Sequence, residues 1–190
     1  MRITGGQWRG RVLLSPVRAG VRPSMERVRK TVFDILHGML TLEGIAVADL
    51  FAGTGSYGIE ALSRGAAMCV FVERERRLVQ QLRQQLQQLA VPEHRVRLLC
   101  GDVFALLPRW QELGCATPQL LFADPPYGQH MGERLLELLA QQRWVEEGTL
   151  LCLELSVRDR FGHSVGAWQL LRERRFGDTL VQWWQCRREQ

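Results

Sequence analysis

The chain has little of what stabilises secreted or metal-bound folds. Its five cysteines are scattered and odd in number, and no C-x-x-C pair occurs among them. The four histidines show no ligand spacing, so the sequence argues against a disulfide framework and predicts no metal site. No apolar run approaches the length of a membrane span, and the first residues do not resemble a signal peptide. We therefore expect a cytoplasmic protein without a membrane anchor.

Lysine is nearly absent as well, because Lys30 is the only one among 25 basic residues. The first thirty residues carry a net charge of +7, whereas the other 160 carry −2. Arginine favours bidentate phosphate contacts and stacking, which suits a polyanion with flat surfaces. The basic segment therefore predicts nucleic-acid contact, and the candidate residues are Arg2, Trp8, Arg9, Arg11, Arg22 and Arg27.

Beyond this segment the apolar pattern alternates between strands and helices. A helix is predicted from about Ser24, and strands are predicted over 45–51, 69–73, 96–100, 119–123 and 150–155, with helical stretches between them. Such alternation predicts an α/β fold with a doubly wound, mostly parallel sheet. Strands over 168–174 and 179–187 predict an antiparallel C-terminal hairpin, which makes seven strands. We divide the chain into a basic N-terminal extension with its helix (1–40) and one α/β domain (41–190).

A glycine-rich loop follows the first predicted strand. Gly53, Gly55 and Gly58 fit G-x-G-x-x-G, and Glu73 lies 20 residues after Gly53, which matches the dinucleotide fingerprint. Both features serve any adenosine-containing cofactor. Asp49, at the start of the loop, would repel a pyrophosphate but would suit the positively charged amino acid and sulfonium of S-adenosylmethionine.

The third predicted strand is followed by Asp102 and Val103. The Asp102 carboxylate can accept from the amino group of an adenine, and the Val103 N–H can reach a ring nitrogen. The alternative for Asp102 is a structural role, since it stands where it can cap the helix that begins at Val103.

The tetrapeptide Asp124-Pro125-Pro126-Tyr127 follows the apolar run 120–123, where a buried strand would end. A carboxylate and a rigid carbonyl can each accept one N–H of an exocyclic amine, while the tyrosine ring stacks on the base. Because proline fixes φ and has no backbone donor, the local carbonyls keep one geometry. The alternative is a proline-rich turn with a tyrosine on the surface.

The chain resembles the class I S-adenosylmethionine-dependent methyltransferases, which have a Rossmann-like fold. The motifs that carry this resemblance are, in chain order, 49–55, Glu73, Asp102 and 124–127. Segments 2–11, 22–29 and 58–65 more narrowly resemble the RsmD-type 16S ribosomal RNA guanine-N2 methyltransferases. The resemblance implies methyl transfer to guanine N2 of 16S ribosomal RNA, on free RNA or on an assembling small subunit. It implies two sets of site residues. The cofactor-binding set is Asp49, Phe51, Gly53, Gly55, Gly58, Glu73, Asp102 and Val103, and the catalytic set is Asp124, Pro125, Pro126 and Tyr127.

Three alternatives remain open at this point. Enzymes with the same tetrapeptide methylate adenine N6 in DNA or RNA, or a glutamine amide in a protein. A nicotinamide oxidoreductase could use the glycine loop, although Asp49 opposes it. A non-catalytic RNA-binding or ribosome-assembly factor could retain the fold, although it would not need a clamp for an amine.

Overall fold

The computed structural model describes residues 2–13, 23–126 and 130–188, so Arg22 and Tyr127 lie outside the described residues. The helices in these ranges are α1 (Pro23–His37), α2 (Ser56–Ser63), α3 (Arg76–Gln88), α4 (Val103–Leu106) and α5 (Met131–Ala140). The strands are β1 (Ala46–Leu50), β2 (Met68–Glu73), β3 (Val96–Cys100), β4 (Leu120–Ala123), β5 (Leu150–Ser156), β6 (Ser164–Val165), β7 (Trp168–Phe176) and β8 (Thr179–Cys186).

All of these strands belong to one sheet, in the order β3–β2–β1–β4–β5–β8–β7–β6. Strands β1 to β5 pair in parallel, whereas β8 runs antiparallel to β5 and β7 antiparallel to β8. The predicted doubly wound sheet with its C-terminal hairpin is confirmed. The described sheet has one strand more than the predicted seven, the two-residue β6 at its edge, which is too short to leave a pattern in the sequence.

Helices cover both faces of the sheet. On one face, α1, α2 and α3 contribute Phe33, Ile59 and Leu82 to a shared core. On the other face, α5 contributes Leu135 and Leu139 to a second core. Strand β4 is buried along its whole length, which explains its uninterrupted apolar sequence. In the described ranges no helix is both long and apolar enough to cross a membrane.

The helix after β3 is shorter than its pattern predicted. The sequence indicates a helix over 103–112, but α4 ends at Leu106 and a 3-10 turn, Leu107–Arg109, follows. Pro108 lacks a backbone N–H and its ring crowds the preceding turn, so the α-helical hydrogen bonds stop there. Likewise α1 begins at Pro23, one residue before the predicted start, because proline is favourable in the first turn of a helix.

The N-terminal segment packs against α2. Ile3 and Trp8 are 1% and 8% exposed and belong to the same core as α1 and α2. The backbone N–H of Trp8 donates to Ser63 Oγ at 3.0 Å, and Ser63 Oγ donates to the Gly5 carbonyl at 2.6 Å. Gly6 has a φ of 75°, and a Cβ on it would lie 1.8 Å from the Ser63 carbonyl oxygen. Part of the basic segment is therefore built into the body of the protein.

Glu60 holds this segment in place from inside α2, where it is 1% exposed. Its Oε1 accepts hydrogen bonds from Arg64 Nε at 2.8 Å and from Thr4 Oγ1 at 2.7 Å. Its Oε2 accepts the Thr4 N–H at 2.9 Å and lies 3.4 Å from Nε of the buried Arg29. Arg29 also donates to the Arg2 carbonyl. One carboxylate thus joins α1, α2 and the N-terminal segment.

Replacing this carboxylate should destabilise the protein. Glu60→Gln keeps the shape of the side chain but leaves Arg29 buried without a counter-charge. We expect the free energy of unfolding to fall by about 3 kcal/mol, because an unpaired buried charge is strongly unfavourable. Urea denaturation followed by circular dichroism measures this change.

The matched control is Asp34→Asn on α1. Asp34 pairs with Lys30 at 2.7 Å, and both side chains are exposed. Breaking such a surface pair should change the free energy of unfolding by less than about 1 kcal/mol. Equal losses in the two variants would contradict the anchoring role of Glu60.

Candidate active site

The parallel strands bring the predicted site residues to one edge of the sheet. Asp49 lies near the end of β1, Glu73 ends β2, and Asp102 and Asp124 follow β3 and β4. Sheets of this kind bind ligands at that edge, next to the point where the strand order reverses, here between β1 and β4. A pocket with about 510 Å³ of empty space lies there. Six of the predicted residues line it: Phe51, Glu73, Asp102, Val103, Asp124 and Pro126.

The glycine loop is close to its neighbours at two positions. Gly55 has a φ of 74°, and a Cβ on it would lie 2.4 Å from Leu82 Cδ1. A Cβ on Gly58 would lie 2.2 Å from Phe71 Cε1 of β2. Glycine at these positions therefore allows the loop and α2 to pack directly against β2 and α3. This packing sets the height of the loop above the sheet edge.

Glu73 and Asp102 each have a structural partner and also face the pocket. Glu73 accepts the N–H of Gly53 and the N–H of Glu75, both at 2.8 Å. Asp102 accepts the Ala105 N–H at 3.2 Å, so it caps α4 as the alternative interpretation held. A carboxylate has about four acceptor positions, so these bonds leave capacity for hydroxyl and amino donors of a ligand.

Asp49 supports the glycine loop from below. It is 3% exposed, and its Oδ2 accepts the Gly58 N–H at 2.8 Å. Burial raises the pKa of Asp49 to about 7, with a further increase from the Glu73 carboxylate and a decrease from the Gly58 N–H. The ionised form is therefore poorly compensated, and a cation bound nearby would stabilise it.

The tetrapeptide begins directly after β4. Asp124 and Pro126 line the pocket, Pro125 is buried, and Tyr127 lies outside the described residues. Asp124 is exposed to solvent at the edge of the sheet. Desolvation by the surrounding protein nevertheless raises the pKa of its carboxyl well above the ordinary value. The neighbouring carboxyls of Glu154 and Asp49 add to this increase.

Tyr57 and Glu154 lie beside Asp124 and were not predicted from the sequence. The Tyr57 hydroxyl donates to Glu154 Oε2 at 2.8 Å, and its ring stacks on Phe122 with centroids 5.0 Å apart. The available signal for Glu154 was an acid inside the apolar run of β5. The signal for Tyr57 was its position between two glycines of the loop.

Three further residues line the pocket without having been predicted: Arg74, Gly101 and Met131. Arg74 and Gly101 directly follow the strand ends of β2 and β3, so proximity to Glu73 and Asp102 was the signal that could have found them. Among the residues that the structure describes, no cluster of histidine, cysteine or acidic side chains could hold a metal ion.

The predicted nucleic-acid residues divide into two groups. Arg2, Arg9, Arg11 and Arg27 are exposed. Trp8 is 8% exposed, and it packs in the core rather than presenting a ring face to solvent.

The relatives of this chain are named methyltransferases, and a doubly wound sheet with an acidic pocket at its edge fits that class. The protein is therefore an S-adenosylmethionine-dependent methyltransferase. The acidic groups around the pocket fit this cofactor, which carries a sulfonium, an amino group and ribose hydroxyls. The chain belongs to the family described as "Conserved hypothetical protein 95", whose model matches residues 1–185. The predicted resemblance to the RsmD-type enzymes is confirmed by relatives that bear that name.

Two of these relatives are each named "Ribosomal RNA small subunit methyltransferase D". The protein from Escherichia coli strain K12 is 33% identical over 186 residues, covering 97% of this chain and 89% of the relative. The protein from Haemophilus influenzae is 31% identical over 179 residues, covering 93% of this chain and 89% of the relative. A solved structure named "Putative methyltransferase yhhF from Escherichia coli" is 30% identical and has a TM-score of 0.83, and the match covers 100% of this chain and 99% of that one.

The buried Asp49 predicts a pH dependence of cofactor binding. A positively charged ligand favours the ionised carboxylate, so below the pKa of about 7 binding must release a proton. We expect the Kd for S-adenosylmethionine to fall by up to about tenfold per pH unit as the pH rises towards 7, and to level off above it. Isothermal titration calorimetry between acidic and mildly alkaline pH measures this profile.

Asp49→Asn is the control for this profile, because the amide does not titrate. Its affinity should be weaker at alkaline pH and should lack the rise through neutral pH. An equally steep profile in Asp49→Asn would assign the pH dependence to another group.

Proposed function

We propose that this chain transfers a methyl group from S-adenosylmethionine to the exocyclic N2 of a guanine in 16S ribosomal RNA, in the cytoplasm. The substrate is the RNA itself or the RNA within an assembling small subunit. The names of the relatives support this assignment, since the relatives match nearly the whole chain at 30% identity or more. The single observation that carries the chemistry is the Asp124 carboxylate at the mouth of the pocket.

The proposed role of Asp124 follows from the weak nucleophilicity of an aromatic amine. The lone pair of such an amine is delocalised into the base. Hydrogen bonds from its two N–H groups to the Asp124 carboxylate and the Pro125 carbonyl would localise that pair and direct it at the methyl carbon. As the new N–C bond forms, the bond between the sulfonium sulfur and the methyl carbon would break, and its electron pair would stay on the sulfur of the departing S-adenosylhomocysteine. Asp124 or water can then take the proton that the nitrogen releases. The raised pKa of Asp124 suits it to this acceptor role.

The proposed cofactor residues orient S-adenosylmethionine so that its methyl group faces the amine. When bound, S-adenosylmethionine supplies an electrophilic methyl group on a positively charged sulfur. Glu73 would accept hydrogen bonds from ribose hydroxyls. Asp102 would accept from the adenine amino group, and the Val103 N–H would donate to a ring nitrogen of the adenine. Asp49 supports the loop of Gly53, Gly55 and Gly58 and supplies a negative field. Holding both reactants in line removes much of the entropic barrier.

The proposed substrate contacts lie on the side of the N-terminal segment. Exposed Arg2, Arg9, Arg11 and Arg27 would neutralise phosphates, as the charge of the segment predicts. Arg22 and Tyr127 remain predictions from the sequence, the latter as a stacking partner for a base turned out of its helix or loop. For the buried Trp8 we propose an indirect role, in which it fixes the backbone that carries Arg9.

Asp124→Asn tests the catalytic assignment. It removes the negative charge and the proton acceptor with little change of volume. We expect the rate of methyl incorporation into ribosomal RNA to fall by about 100-fold or more, the range of a lost acid–base group. The Kd for S-adenosylmethionine should change little. The measurements are tritiated methyl transfer and calorimetry.

Asp34→Asn, an exposed aspartate on α1, is the matched control and should retain full activity. Loss of cofactor binding in Asp124→Asn would move Asp124 out of the catalytic role. Mass mapping of ribosomal RNA from cells with and without the gene tests the product, because N2-methylguanosine should disappear at one position. Unchanged N2-methylguanosine at every position would overturn the proposed function.

Arg9→Gln combined with Arg11→Gln tests the RNA surface. Removing two phosphate contacts should weaken RNA binding and lower the slope of log K against log salt by about 0.7 for each contact with a single strand. Fluorescence anisotropy at several salt concentrations measures the slope. The control is Arg109→Gln with Arg143→Gln, two exposed arginines next to the core on the opposite face of the sheet. Equal slopes in the two double variants would contradict the assignment of the surface.

A further inference from the structure

Glu154 is an acid in a strand that is otherwise apolar or small. Strand β5 reads Leu-Leu-Cys-Leu-Glu-Leu-Ser, and Glu154 is half-buried within it. Burial raises the pKa of its carboxyl, and the hydrogen bond from Tyr57 lowers it in part. The mechanism described above does not use this group, although it lies at the same sheet edge as Asp124.

The register places Glu154 next to Asp124. Ala123 of β4 pairs with Leu153 of β5, and Asp124 and Glu154 are the next residues of these two parallel strands. Neighbouring strands lie about 4.8 Å apart. Phe122 and Cys152, two residues earlier on each strand, belong to the same core, so Asp124 and Glu154 point to one face of the sheet.

Two adjacent carboxyls are unfavourable in the free protein. Each like charge resists ionisation of the other, and Glu154 is among the causes of the raised pKa of Asp124. Within the described part of the chain, no arginine or lysine forms an ion pair with either carboxyl. Such a pair is stabilised when a ligand presents several N–H donors side by side.

The Tyr57 hydroxyl sets the orientation of Glu154. It donates to Oε2 at 2.8 Å, so it favours the ionised acceptor form of the carboxylate. Oε1 takes no hydrogen bond from any residue in the described ranges. The tyrosine ring is itself held by stacking on Phe122. Glu154 is therefore a fixed acceptor beside the proposed amine clamp.

We propose that Glu154 selects guanine, by accepting its N1–H while Asp124 holds its N2 amine; this inference rests on the proposed function. The Watson–Crick edge of guanine carries the N1–H directly beside the N2 amine, which matches two neighbouring carboxylates. Adenine carries an unprotonated N1 beside its N6 amine. Its N1 lone pair would face Oε1 of Glu154, and both groups would lack a proton for a hydrogen bond.

The expected discrimination is large because the acceptor is a half-buried carboxyl group. A site built around a hydrogen bond rejects an analogue that lacks the donor, since its own polar group is left unpaired. 2-Aminopurine is the appropriate probe. It retains the N2 amine of guanine, but its N1 is an acceptor without a proton.

The experiment compares RNA that carries guanine at the methylated position with the same RNA carrying 2-aminopurine there. With wild-type protein we expect kcat/KM for guanine to exceed that for 2-aminopurine by about 100-fold or more. In Glu154→Gln the amide can turn either its oxygen or its NH₂ towards the base. The ratio should then fall to about 10 or less, with the Kd for S-adenosylmethionine unchanged.

Glu146→Gln, an exposed glutamate outside the site, is the matched control and should keep the wild-type ratio. Tyr57→Phe removes the orienting hydroxyl and should lower the ratio by less than Glu154→Gln does. If Glu154 only anchors Tyr57, Glu154→Gln will lower both rates equally, and the unchanged ratio will overturn the inference. If wild-type protein methylates no guanine N2, the proposed function itself fails, which is a separate result.

Discussion

The parallel pairing of β1, β2, β3, β4 and β5 is the constraint on which the site depends. Parallel strands with helical crossovers end at a common edge, so the residues that follow each strand meet there. Asp49, Glu73, Asp102 and Asp124 come from four different strand ends and share no local sequence. The buried apolar strands hold their backbones at fixed spacing. The acidic residues that follow the strands are therefore also held at fixed positions.

The buried and partly buried acidic residues of this protein fall into two groups. Glu60 is buried, but Arg29 and Arg64 neutralise it, and it joins the N-terminal segment to α1 and α2. Asp49, Asp124 and Glu154 form no ion pair with an arginine or lysine among the residues that the structure describes, and the pKa of each is raised. A folded protein tolerates this unfavourable arrangement where a ligand supplies the missing positive charge or N–H donors. The contrast separates a structural carboxylate from those that we propose to bind ligands.

Much of the fold and of the pocket could be predicted because both rest on local patterns. Apolar periodicity located the parallel strands, and the glycine spacing with Glu73 located the loop that lies at the sheet edge. Other features depend on long-range packing. From the sequence alone, Trp8 is predicted to be an exposed aromatic residue in a basic segment. In the structure it is buried, because the N-terminal segment packs against α2. The role of Glu60 likewise cannot be predicted from the sequence, because its partners Thr4 and Arg29 are distant in the chain and meet it only in the folded protein.

Residue type and spacing set which chemical groups are available: a glycine loop, acids at strand ends and an Asp-Pro-Pro-Tyr segment. The sequence by itself could not determine which groups act together. Asp124 and Glu154 are thirty residues apart, and only the register of β4 on β5 makes them neighbours on one face. A shift of one residue would turn Glu154 to the opposite face, since side chains alternate along a strand. The Asp-Pro-Pro-Tyr segment of the proposed amine clamp could therefore be found from the sequence, whereas the position of the second carboxylate beside it depends on strand pairing.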